Sequence, residues 1–280
     1  MISIMNELET EFWKETCQNI ILGVEDAVKP LIGTSKAGKI VKMGADGTPS
    51  TLIDMVAEEK VTEILKTLEK SVFLISEEIG EIKIGKGPAE AILVVDPLDG
   101  TSNAVKNIPA YGISIAVADI SPKTTTLQDV TMGMVKNFAT GDLYYGSKGG
   151  GAFLNSKRIQ SSKRQDISSS SVGAYVYRGD MNRLEPLCKA VRRMRTLGSV
   201  AIEICYVADG TYDAFVDVKK NLRIVDVSAA KIIVEESGGT ITDQYCHPLS
   251  AKLSVIEKTS LVASGNREIH RNIMGILGGI

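Results

Sequence analysis

The stretch Asp96-Pro97-Leu98-Asp99-Gly100-Thr101-Ser102-Asn103 follows the short apolar run 91–95 and decides how the rest of the chain is interpreted. Pro97 fixes one backbone angle and Gly100 permits a tight turn, so two carboxylates are held close together where the chain reverses. Two unit charges about 5 Å apart repel by roughly 3 kcal/mol at an effective dielectric near 20, and a divalent cation would relieve that repulsion. Hard oxygen ligands, with no cysteine or histidine nearby, indicate magnesium rather than zinc.

Three other interpretations of this turn stay open at this point. A calcium loop of the EF-hand type needs oxygen side chains at alternate positions and a later glutamate, but Leu98 and Asn107 occupy two of those places. A phosphatase of the haloacid dehalogenase type uses two aspartates two positions apart, the first as a covalent nucleophile, whereas Asp96 and Asp99 are three apart. The segment can also be a polar turn without a ligand.

Hydrophobic spacing predicts helices over residues 6–29 and 51–68, and short apolar runs predict buried strands at 72–75 and 91–95. These strands deliver the carboxylates of Glu77 and Asp96 at their ends. Further elements are expected in this order: strands 112–118 and 132–135, a hairpin over 141–159, strand 172–177, helix 183–194, a short helix after Ser199, strand 214–218, helix 227–236, strands 240–242 and 261–264, and a C-terminal helix. We expect two lobes, an N-terminal α+β lobe over residues 1–170 and a C-terminal α/β lobe over residues 171–280.

Composition narrows the function classes. The 280 residues include 32 basic and 34 acidic side chains, and the formal charge of −2 argues against a nucleic-acid partner. Hydrophobic residues make up 44%, which is typical of folded proteins, and no apolar run is long enough to predict a membrane helix. The acidic start lacks the pattern of a signal peptide, and the four cysteines form no CxxC pair. We therefore expect reduced thiols and a cytoplasmic location.

The order of motifs along the chain resembles the inositol monophosphatase and fructose-1,6-bisphosphatase superfamily. That family's marker is DPxDGTxN after a strand, here DPLDGTSN at 96–103. A Glu-Glu pair precedes it in Ser76-Glu77-Glu78, and a T-x-x-D helix position is matched by Thr51-Leu52-Ile53-Asp54. Downstream, the family's D-x-x-A-(A/G) helix start is matched by Asp226-Val227-Ser228-Ala229-Ala230, with Gly238-Gly239 at the end. The chain looks closest to the archaeal branch of dual specificity.

The resemblance implies a mixed α/β fold in alternating layers, an αβαβα five-layer sandwich. It implies two Mg²⁺ ions per active site, or three, with Mn²⁺ as a substitute. By matching positions, Glu77, Asp96 and the Leu98 carbonyl would hold a first ion. Asp96, Asp99 and Asp226 would hold a second ion.

The resemblance also implies the remaining catalytic groups. Thr101, paired with Asp54, would activate the attacking water, with Glu77 as a further catalytic residue. The segment Gly100, Thr101 and Ser102 would face the phosphate through its backbone amides. A mobile loop at 44–50 would close over the metals and contribute to a third, weaker metal position.

Residues of the second half are expected to select the substrate. The resemblance maps Gly198-Ser199 and Asp217 against the hydroxyls of a polyol. Arg178 and Arg223 lie at strand ends and are candidates for a second phosphate, because arginine offers a planar bidentate fork. A further set of arginines is also a candidate for this phosphate, although a cluster on a helix is more often a solvated face: Arg192, Arg193 and Arg195.

The sequence departs from the family pattern at two places. Val225 stands where many members carry tryptophan, and Ala104 where many carry phenylalanine. The expected function is Mg²⁺-dependent hydrolysis of inositol-1-phosphate, fructose-1,6-bisphosphate or both, by metal-activated water. The alternatives are a 3′-phosphoadenosine-phosphate or NADP phosphatase on the same scaffold, and a catalytically silent metal-binding homologue. We expect a homodimer with a small-molecule phosphomonoester substrate and no membrane partner.

Overall fold

The helices and strands follow from a computed structural model, which describes residues 7–121, 124–176 and 181–278. The helices are Glu7–Val28 (α1), Leu52–Lys66 (α2), Thr101–Lys106 (α3), Met181–Ala190 (α4), Val200–Ala208 (α5), Ile224–Glu236 (α6) and Arg267–Ile276 (α7). The strands are Ile40–Met43 (β1), Pro49–Thr51 (β2), Val72–Ser76 (β3), Gly80–Ile84 (β4), Ala91–Asp99 (β5), Gly112–Ala118 (β6), Val130–Asn137 (β7), Leu143–Ser147 (β8), Gly151–Leu154 (β9), Lys157–Arg158 (β10), Ser171–Ala174 (β11), Arg193–Arg195 (β12), Ala214–Arg223 (β13), Thr240–Thr242 (β14) and Lys258–Ser264 (β15).

Two large sheets contain all the described strands except β1 and β2, which pair with each other in a separate two-stranded sheet. The larger sheet has the order β10-β9-β8-β7-β6-β5-β3-β4, and the smaller sheet has the order β12-β11-β13-β15-β14. Strands β3 and β5 are parallel neighbours, with Ser76 opposite Val95. Because parallel neighbours run in the same direction, the next residues along the chain, Glu77 and Asp96, lie at the same end of the sheet, where β3 stops and β5 continues to Asp99.

Alternation along β5 builds the layers on both sides of the larger sheet. Leu93 and Val95 pack in a core with Ile20 of α1 and Ile53 of α2. Val94 belongs to the opposite core, which contains side chains of α5, α6 and the smaller sheet. All nine residues of β5 are buried, so the two carboxylates at its end are carried into the protein interior by an apolar strand.

The outermost layer lies on the far face of the smaller sheet. There Val216 and Val262 pack against Leu187 of α4 and Ile273 of α7. The layers run from α1 and α2 through the larger sheet, then α5 and α6, then the smaller sheet, to α4 and α7. The predicted αβαβα five-layer sandwich is confirmed.

Helix α6 lies directly against the backbone of the larger sheet. A Cβ atom at Gly133 of β7 would be 2.5 Å from the Ala229 carbonyl oxygen, and one at Gly146 of β8 would be 2.9 Å from Ile233 Cα. Only glycine permits this approach. The position of α6 is therefore set by the sheet that also carries Asp96.

Several predicted elements are wrong in their limits, including strand 172–177, which ends at Ala174, and strand 261–264, which begins at Lys258. The helix expected over 183–194 ends at Ala190, and Arg193–Arg195 is strand β12, in which only Met194 alternates inward. Arg193 and Arg195 are therefore exposed strand residues and Arg192 precedes them, so none lies on a helix. Strand β13 continues to Arg223 instead of stopping at residue 218, through an irregularity between Asp217 and Leu222. Helix α6 begins at Ile224, three residues earlier than expected, which places Asp226 in its first turn.

The division into lobes at residue 170 stays a prediction. The larger sheet takes its described strands from residues 72–158 and the smaller sheet from 171–264, which is consistent with that boundary. Helix α6 belongs to the second half of the sequence but packs against the larger sheet, which comes from the first half. The helix therefore crosses the predicted boundary. In the described residues, no helix is both long and apolar enough to cross a membrane.

Candidate active site

Three buried carboxylates converge where β5 ends and α6 begins. Asp96, Asp99 and Asp226 each offer an oxygen atom, and these three atoms lie within 4.8 Å of one another. Asp96 and Asp99 come from the end of β5, and Asp226 comes from the first turn of α6. Their convergence is the arrangement expected for the second metal ion, and hard oxygen donors suit Mg²⁺ or Mn²⁺.

The pKa values of this cluster reflect its burial and charge. Burial, followed by the charges of Asp226 and Asp99, raises the pKa of Asp96 well above its usual range. Burial and the charge of Asp226 raise the pKa of Asp99 to about 7, despite hydrogen bonds from the Ser199 side that lower it. Like charges in a dry site destabilise each other, so a cation at this position would be bound strongly.

Asp99 is held by the start of helix α5. Ser199 Oγ donates to Asp99 Oδ2 over 2.6 Å, and the amide of Ala201 donates to the same oxygen over 2.8 Å. The Val200 amide donates to Asp99 Oδ1 over 3.1 Å. The carboxylate therefore satisfies amides of the first turn of α5, in the way that an N-terminal acidic group does.

Asp54 and Thr101 form a hydrogen-bonded pair beside the cluster. Thr101 Oγ1 donates to Asp54 Oδ1 over 2.6 Å and lies 3.1 Å from the Leu98 carbonyl oxygen. Asp54 Oδ2 accepts from the Thr51 amide and hydroxyl over 2.9 and 2.7 Å. These hydrogen bonds fix the orientation of both side chains. The Thr101 hydroxyl also lies next to the Leu98 carbonyl, which is predicted to be a metal ligand.

Gly100 makes the turn between β5 and α3 possible. Its φ of +83° lies in the left-handed region, and a Cβ atom there would be 2.7 Å from the Ala110 carbonyl oxygen. A side chain would be strained and would also clash with backbone. Thr101 and the exposed Ser102 follow as the first residues of α3.

The guanidinium of Arg223 lies among the carboxylates. Its Nη2 is 2.7 Å from Asp226 Oδ1 and 3.4 Å from Asp96 Oδ2, and its Nη1 is in contact with Glu77 Oε1. Nη1 also lies 3.4 Å from Asp46 Oδ2. Arg223 was expected to bind substrate, and the structure places it as a cation that joins Glu77 to the acidic cluster.

The segment before α2 forms a hairpin instead of an open loop. Strands β1 and β2 pair antiparallel, and Asp46 Oδ1 accepts from the Thr48 amide and hydroxyl, each over 2.8 Å. The other oxygen of Asp46 faces Arg223. The sequence identified this segment as lying near the metals but missed Asp46 itself, whose signal was an aspartate in the glycine-rich turn.

The predicted substrate residues are placed unequally. Asp217 is buried in β13 and its Oδ2 lies 3.2 Å from Lys219 Nζ, so it is not a solvated strand end. Ser199 is fully buried against Asp99, and Gly198 precedes it with a φ of +93°. Arg178 lies outside the described residues.

A cavity of about 510 Å³ opens from Asp226 and Arg223 toward β13 and β15. We call it the first cavity. Asp46 and Asp217 also line it, together with three lysines that the sequence analysis missed: Lys219, Lys220 and Lys258. The first cavity therefore pairs an acidic end, suited to metal ions, with a basic wall, suited to an anionic substrate.

Comparison with known proteins gives a consistent result. Residues 10–278 match the model of the inositol monophosphatase family. A fructose-1,6-bisphosphatase/inositol-1-monophosphatase of Methanothermobacter thermautotrophicus is 51% identical over 277 residues, which cover 98% of this chain and 99% of that protein. A bifunctional NADP phosphatase/NAD kinase of Methanocaldococcus jannaschii is 39% identical, over 92% of this chain and 49% of that protein. A solved inositol monophosphatase-fructose 1,6 bisphosphatase aligns with a TM-score of 0.81 and 27% identity, over 94% of this chain and 99% of that one.

Proposed function

The chain belongs to the inositol monophosphatase family, a family of metal-dependent phosphatases, and on that premise we propose that it hydrolyses inositol-1-phosphate, fructose-1,6-bisphosphate or both with Mg²⁺. The observation that carries the proposal is the convergence of Asp96, Asp99 and Asp226 beside the Asp54–Thr101 pair. This arrangement supports the proposal, because oxygens suited to a metal ion lie beside a carboxylate that can act as a base.

The ligand set fits the proposed metals. We propose that Asp96, Asp99 and Asp226 hold one ion, and that Glu77, Asp96 and the Leu98 carbonyl hold another. The contacts of the Arg223 guanidinium with Glu77, Asp96 and Asp226 support this fit, because the three carboxylates face one positive charge. The third ion, near the 44–50 segment, is also part of the proposal, and Asp46 is the carboxylate that this segment supplies.

The residues of the chain supply the proton handling. Bound Mg²⁺ would lower the pKa of water and neutralise charge on the phosphoryl and leaving oxygens. Thr101 Oγ1 directs its own proton to Asp54 Oδ1, so its lone pair is free to accept from an attacking water. Asp54 stabilises the proton that Thr101 Oγ1 passes to it. The Gly100, Thr101 and Ser102 segment orients the phosphate through amides that have no acceptor within α3.

The basic wall of the first cavity favours a substrate with a second anionic group. Lys220 and Lys258 line this cavity together with Arg223. In the described part of the chain neither of these lysines forms an ion pair, whereas Lys219 is paired with Asp217. The first cavity is therefore suited to the second phosphate of fructose-1,6-bisphosphate, with Asp217 and the exposed Gly198 at the polyol, whereas the Ser199 hydroxyl is buried against Asp99.

A second candidate is hydrolysis of a nucleotide phosphomonoester such as NADP. The 39% identity to the bifunctional NADP phosphatase/NAD kinase favours it, although this chain spans only about half of that relative. The same carboxylates would carry out the reaction.

The test is release of inorganic phosphate from a panel of phosphomonoesters in Mg²⁺ and in EDTA. We expect turnover of inositol-1-phosphate or fructose-1,6-bisphosphate in Mg²⁺ only. Asp96→Asn and Asp226→Asn should abolish turnover, whereas Asp166→Asn, an exposed aspartate outside the site, should retain it. Absence of phosphate release from every substrate in Mg²⁺ and Mn²⁺ would leave only a silent metal-binding protein.

We also propose a homodimer in the cytoplasm. Sedimentation of the purified protein measures the first directly, and fractionation of the cells measures the second. A monomer at micromolar concentration would contradict the proposed assembly.

A further inference from the structure

Glu203 is a fully buried carboxylate that takes no part in the metal chemistry described above. It lies in α5, one turn after Ser199, and its Oε1 accepts the backbone amides of Leu197 and Gly198 over 2.9 and 3.0 Å. Helical side chains lean toward the N-terminus of their helix, so this carboxylate reaches back past the start of α5. A buried carboxylate is costly unless it is hydrogen-bonded, and here two amides satisfy one of its oxygens.

The other oxygen of Glu203 faces Tyr212. The Tyr212 hydroxyl lies 3.5 Å from Glu203 Oε2, and both residues are buried. Burial raises the pKa of Glu203, although the hydrogen bonds from the Gly198 and Leu197 amides lower it. The glutamate therefore acts as an internal hydrogen-bond acceptor at the start of α5.

Asn103 holds the same segment from a second helix. Its Nδ2 donates to the Leu197 carbonyl oxygen over 2.8 Å and to the Ala110 carbonyl oxygen over 2.7 Å. Asn103 is the last residue of the 96–103 motif and lies in α3. Leu197 is thus bound through its amide by α5 and through its carbonyl by α3. We call the segment 196–199, which joins these two helices, the bridging loop.

The bridging loop lies against the turn that is proposed to orient the phosphate. A Cβ atom at Gly100 would be 3.2 Å from Ser199 Cβ, and one at Gly198 would be 3.4 Å from Asn103 Nδ2. Gly198 has a φ of +93° and is exposed, whereas Ser199 is buried against Asp99. The exposed backbone of Gly198 therefore lies beside the proposed phosphate position.

The hydrogen bonds of the bridging loop leave the Gly198 carbonyl oxygen available to a ligand. Glu203 binds the Gly198 amide, and Asn103 binds the Leu197 carbonyl. Within the described part of the chain, no group donates to the Gly198 carbonyl oxygen. A carbonyl oxygen only accepts hydrogen bonds, so it favours a ligand that carries a hydroxyl or another donor.

We propose that Glu203 is a positioning residue that sets the affinity for polyol phosphates, because it holds the bridging loop where the Gly198 carbonyl oxygen meets a hydroxyl of the substrate. Asn103 is a second positioning residue and acts on the same loop. The inference rests on the proposed function. Neither side chain contacts the reacting phosphoryl group, so both affect the KM of substrates with hydroxyl groups and leave the chemical step unchanged.

The test compares inositol-1-phosphate with p-nitrophenyl phosphate, which has no hydroxyl group, at saturating Mg²⁺. Glu203→Leu should raise the KM for inositol-1-phosphate about tenfold, the loss expected for one hydrogen bond, and should leave its kcat and the KM for p-nitrophenyl phosphate within about twofold of the wild type. Glu203→Gln keeps an oxygen for both amides and should retain the wild-type ratio of the two KM values. Glu185→Leu, at an exposed glutamate in α4, is the matched control and should change neither KM.

Asn103→Ala repeats the test from the other helix. It removes the hydrogen bond to the Leu197 carbonyl and should raise the same KM ratio. Circular dichroism reports whether each variant is folded, and Asn103→Ala provides the comparison if Glu203→Leu is not. A folded variant of either residue whose KM ratio is unchanged, or whose KM rises equally for both substrates, would overturn the inference.

Two measurements that require no turnover separate this inference from the proposed function. Calorimetric titration in Ca²⁺ gives dissociation constants for both compounds, and their ratio should change in Glu203→Leu as the KM ratio does. The amides of the bridging loop should also exchange hydrogen faster in Glu203→Leu than in Glu203→Gln. Failure of the wild type to hydrolyse any phosphomonoester would overturn the proposed function, whereas an unchanged ratio of dissociation constants would overturn the role of Glu203.

Discussion

Ser199 Oγ donates a 2.6 Å hydrogen bond to Asp99 Oδ2, so one carboxylate belongs to the acidic cluster and also stabilises the first turn of α5. The Val200 and Ala201 amides donate to the same carboxylate. Substitutions of Ser199 and of Asp99 should therefore distinguish the effect on folding stability from the effect on catalysis. Ser199 affects mainly the helix, and Asp99 affects both.

Ser199→Ala should lower the free energy of unfolding by about 1–2 kcal/mol, because a buried carboxylate loses a short hydrogen bond. Urea denaturation in EDTA measures this change. Ser102→Ala, an exposed serine in α3, should leave the denaturation midpoint where it is in the wild type. Equal midpoints for the two variants would show that the Ser199 bond contributes no stability.

Asp99→Asn should reduce turnover by at least about a hundredfold, since it removes a charge from the cluster with little change of volume. The amide oxygen still accepts hydrogen bonds from the start of α5, so the fold should persist in circular dichroism. Phosphate release at saturating Mg²⁺ is the measurement. A wild-type rate under that condition would remove Asp99 from the proposed ligand set.

Thr101→Val should lower kcat by about a hundredfold while leaving metal affinity close to that of the wild type. The hydroxyl is the group that bonds to Asp54, and valine has the same shape without it. Thr101→Ser restores the hydroxyl and should recover most of the rate. Calorimetric titration with Mn²⁺ gives the metal affinity, and comparable kcat values for valine and serine would contradict the role of the Thr101 oxygen.

Arg223→Gln should bind Mn²⁺ about tenfold more tightly, because a competing cation leaves the carboxylates of Asp96 and Asp226. In EDTA the same variant should be less stable by about 3 kcal/mol, since buried charges lose their partner. Thermal unfolding and calorimetry measure the two effects. Arg158→Gln, an exposed arginine in β10, is the control, and weaker Mn²⁺ binding by Arg223→Gln would indicate a different role for the guanidinium.

His270 should make folding sensitive to acid. Burial lowers its pKa to about 4, and its ring nitrogens lie 3.0 Å from Thr242 Oγ1 and 3.1 Å from Ser264 Oγ. Above pH 6.5 both the folded and the unfolded state hold a neutral ring. As the pH falls from 6.5 to about 4, only the unfolded state takes up the proton, so stability falls by about 3 kcal/mol.

The slope of unfolding free energy against pH, between pH 6.5 and 4.5, tests the His270 prediction. His270→Gln should have the smaller slope, because its side chain takes up no proton in either state. Ser102→Ala, an exposed residue with no ionisable side chain, should keep the wild-type slope. Identical slopes for all three proteins would contradict a depressed pKa at His270.

The layers and the acidic cluster were predictable because they depend on strong local patterns. The apolar run before Asp96 and the helical spacing that begins next to Asp54 each produced the expected element. Periodicity failed where tertiary pairing decided the outcome. Arg193–Arg195 continues a helical spacing but pairs with β11, and β13 continues through a polar stretch because β15 pairs with Leu222 and Arg223.

The role of Arg223 and the position of Ser199 were beyond the sequence for a related reason. Arg223 is defined by contacts to residues 127 and 177 positions away, and Ser199 by a contact 100 positions away. The spacing of apolar residues identifies which face of a helix or strand is buried. It does not identify which distant side chain forms a hydrogen bond with a given polar atom. The lysines of the first cavity were missed because they read as ordinary solvated charges.

The glycines beneath α6 have a mechanical consequence. Because Gly133 and Gly146 bring α6 onto the backbone of β7 and β8, Asp226 is anchored to the scaffold that positions Asp96 and Asp99. A hinge movement of the smaller sheet would change the shape of the first cavity and leave the relative positions of Asp96, Asp99 and Asp226 unchanged. Conversely, a larger residue at either glycine would push on Ala229 or Ile233, tilt the helix and move Asp226 away from Asp96 and Asp99, so the affinity for a cation would fall.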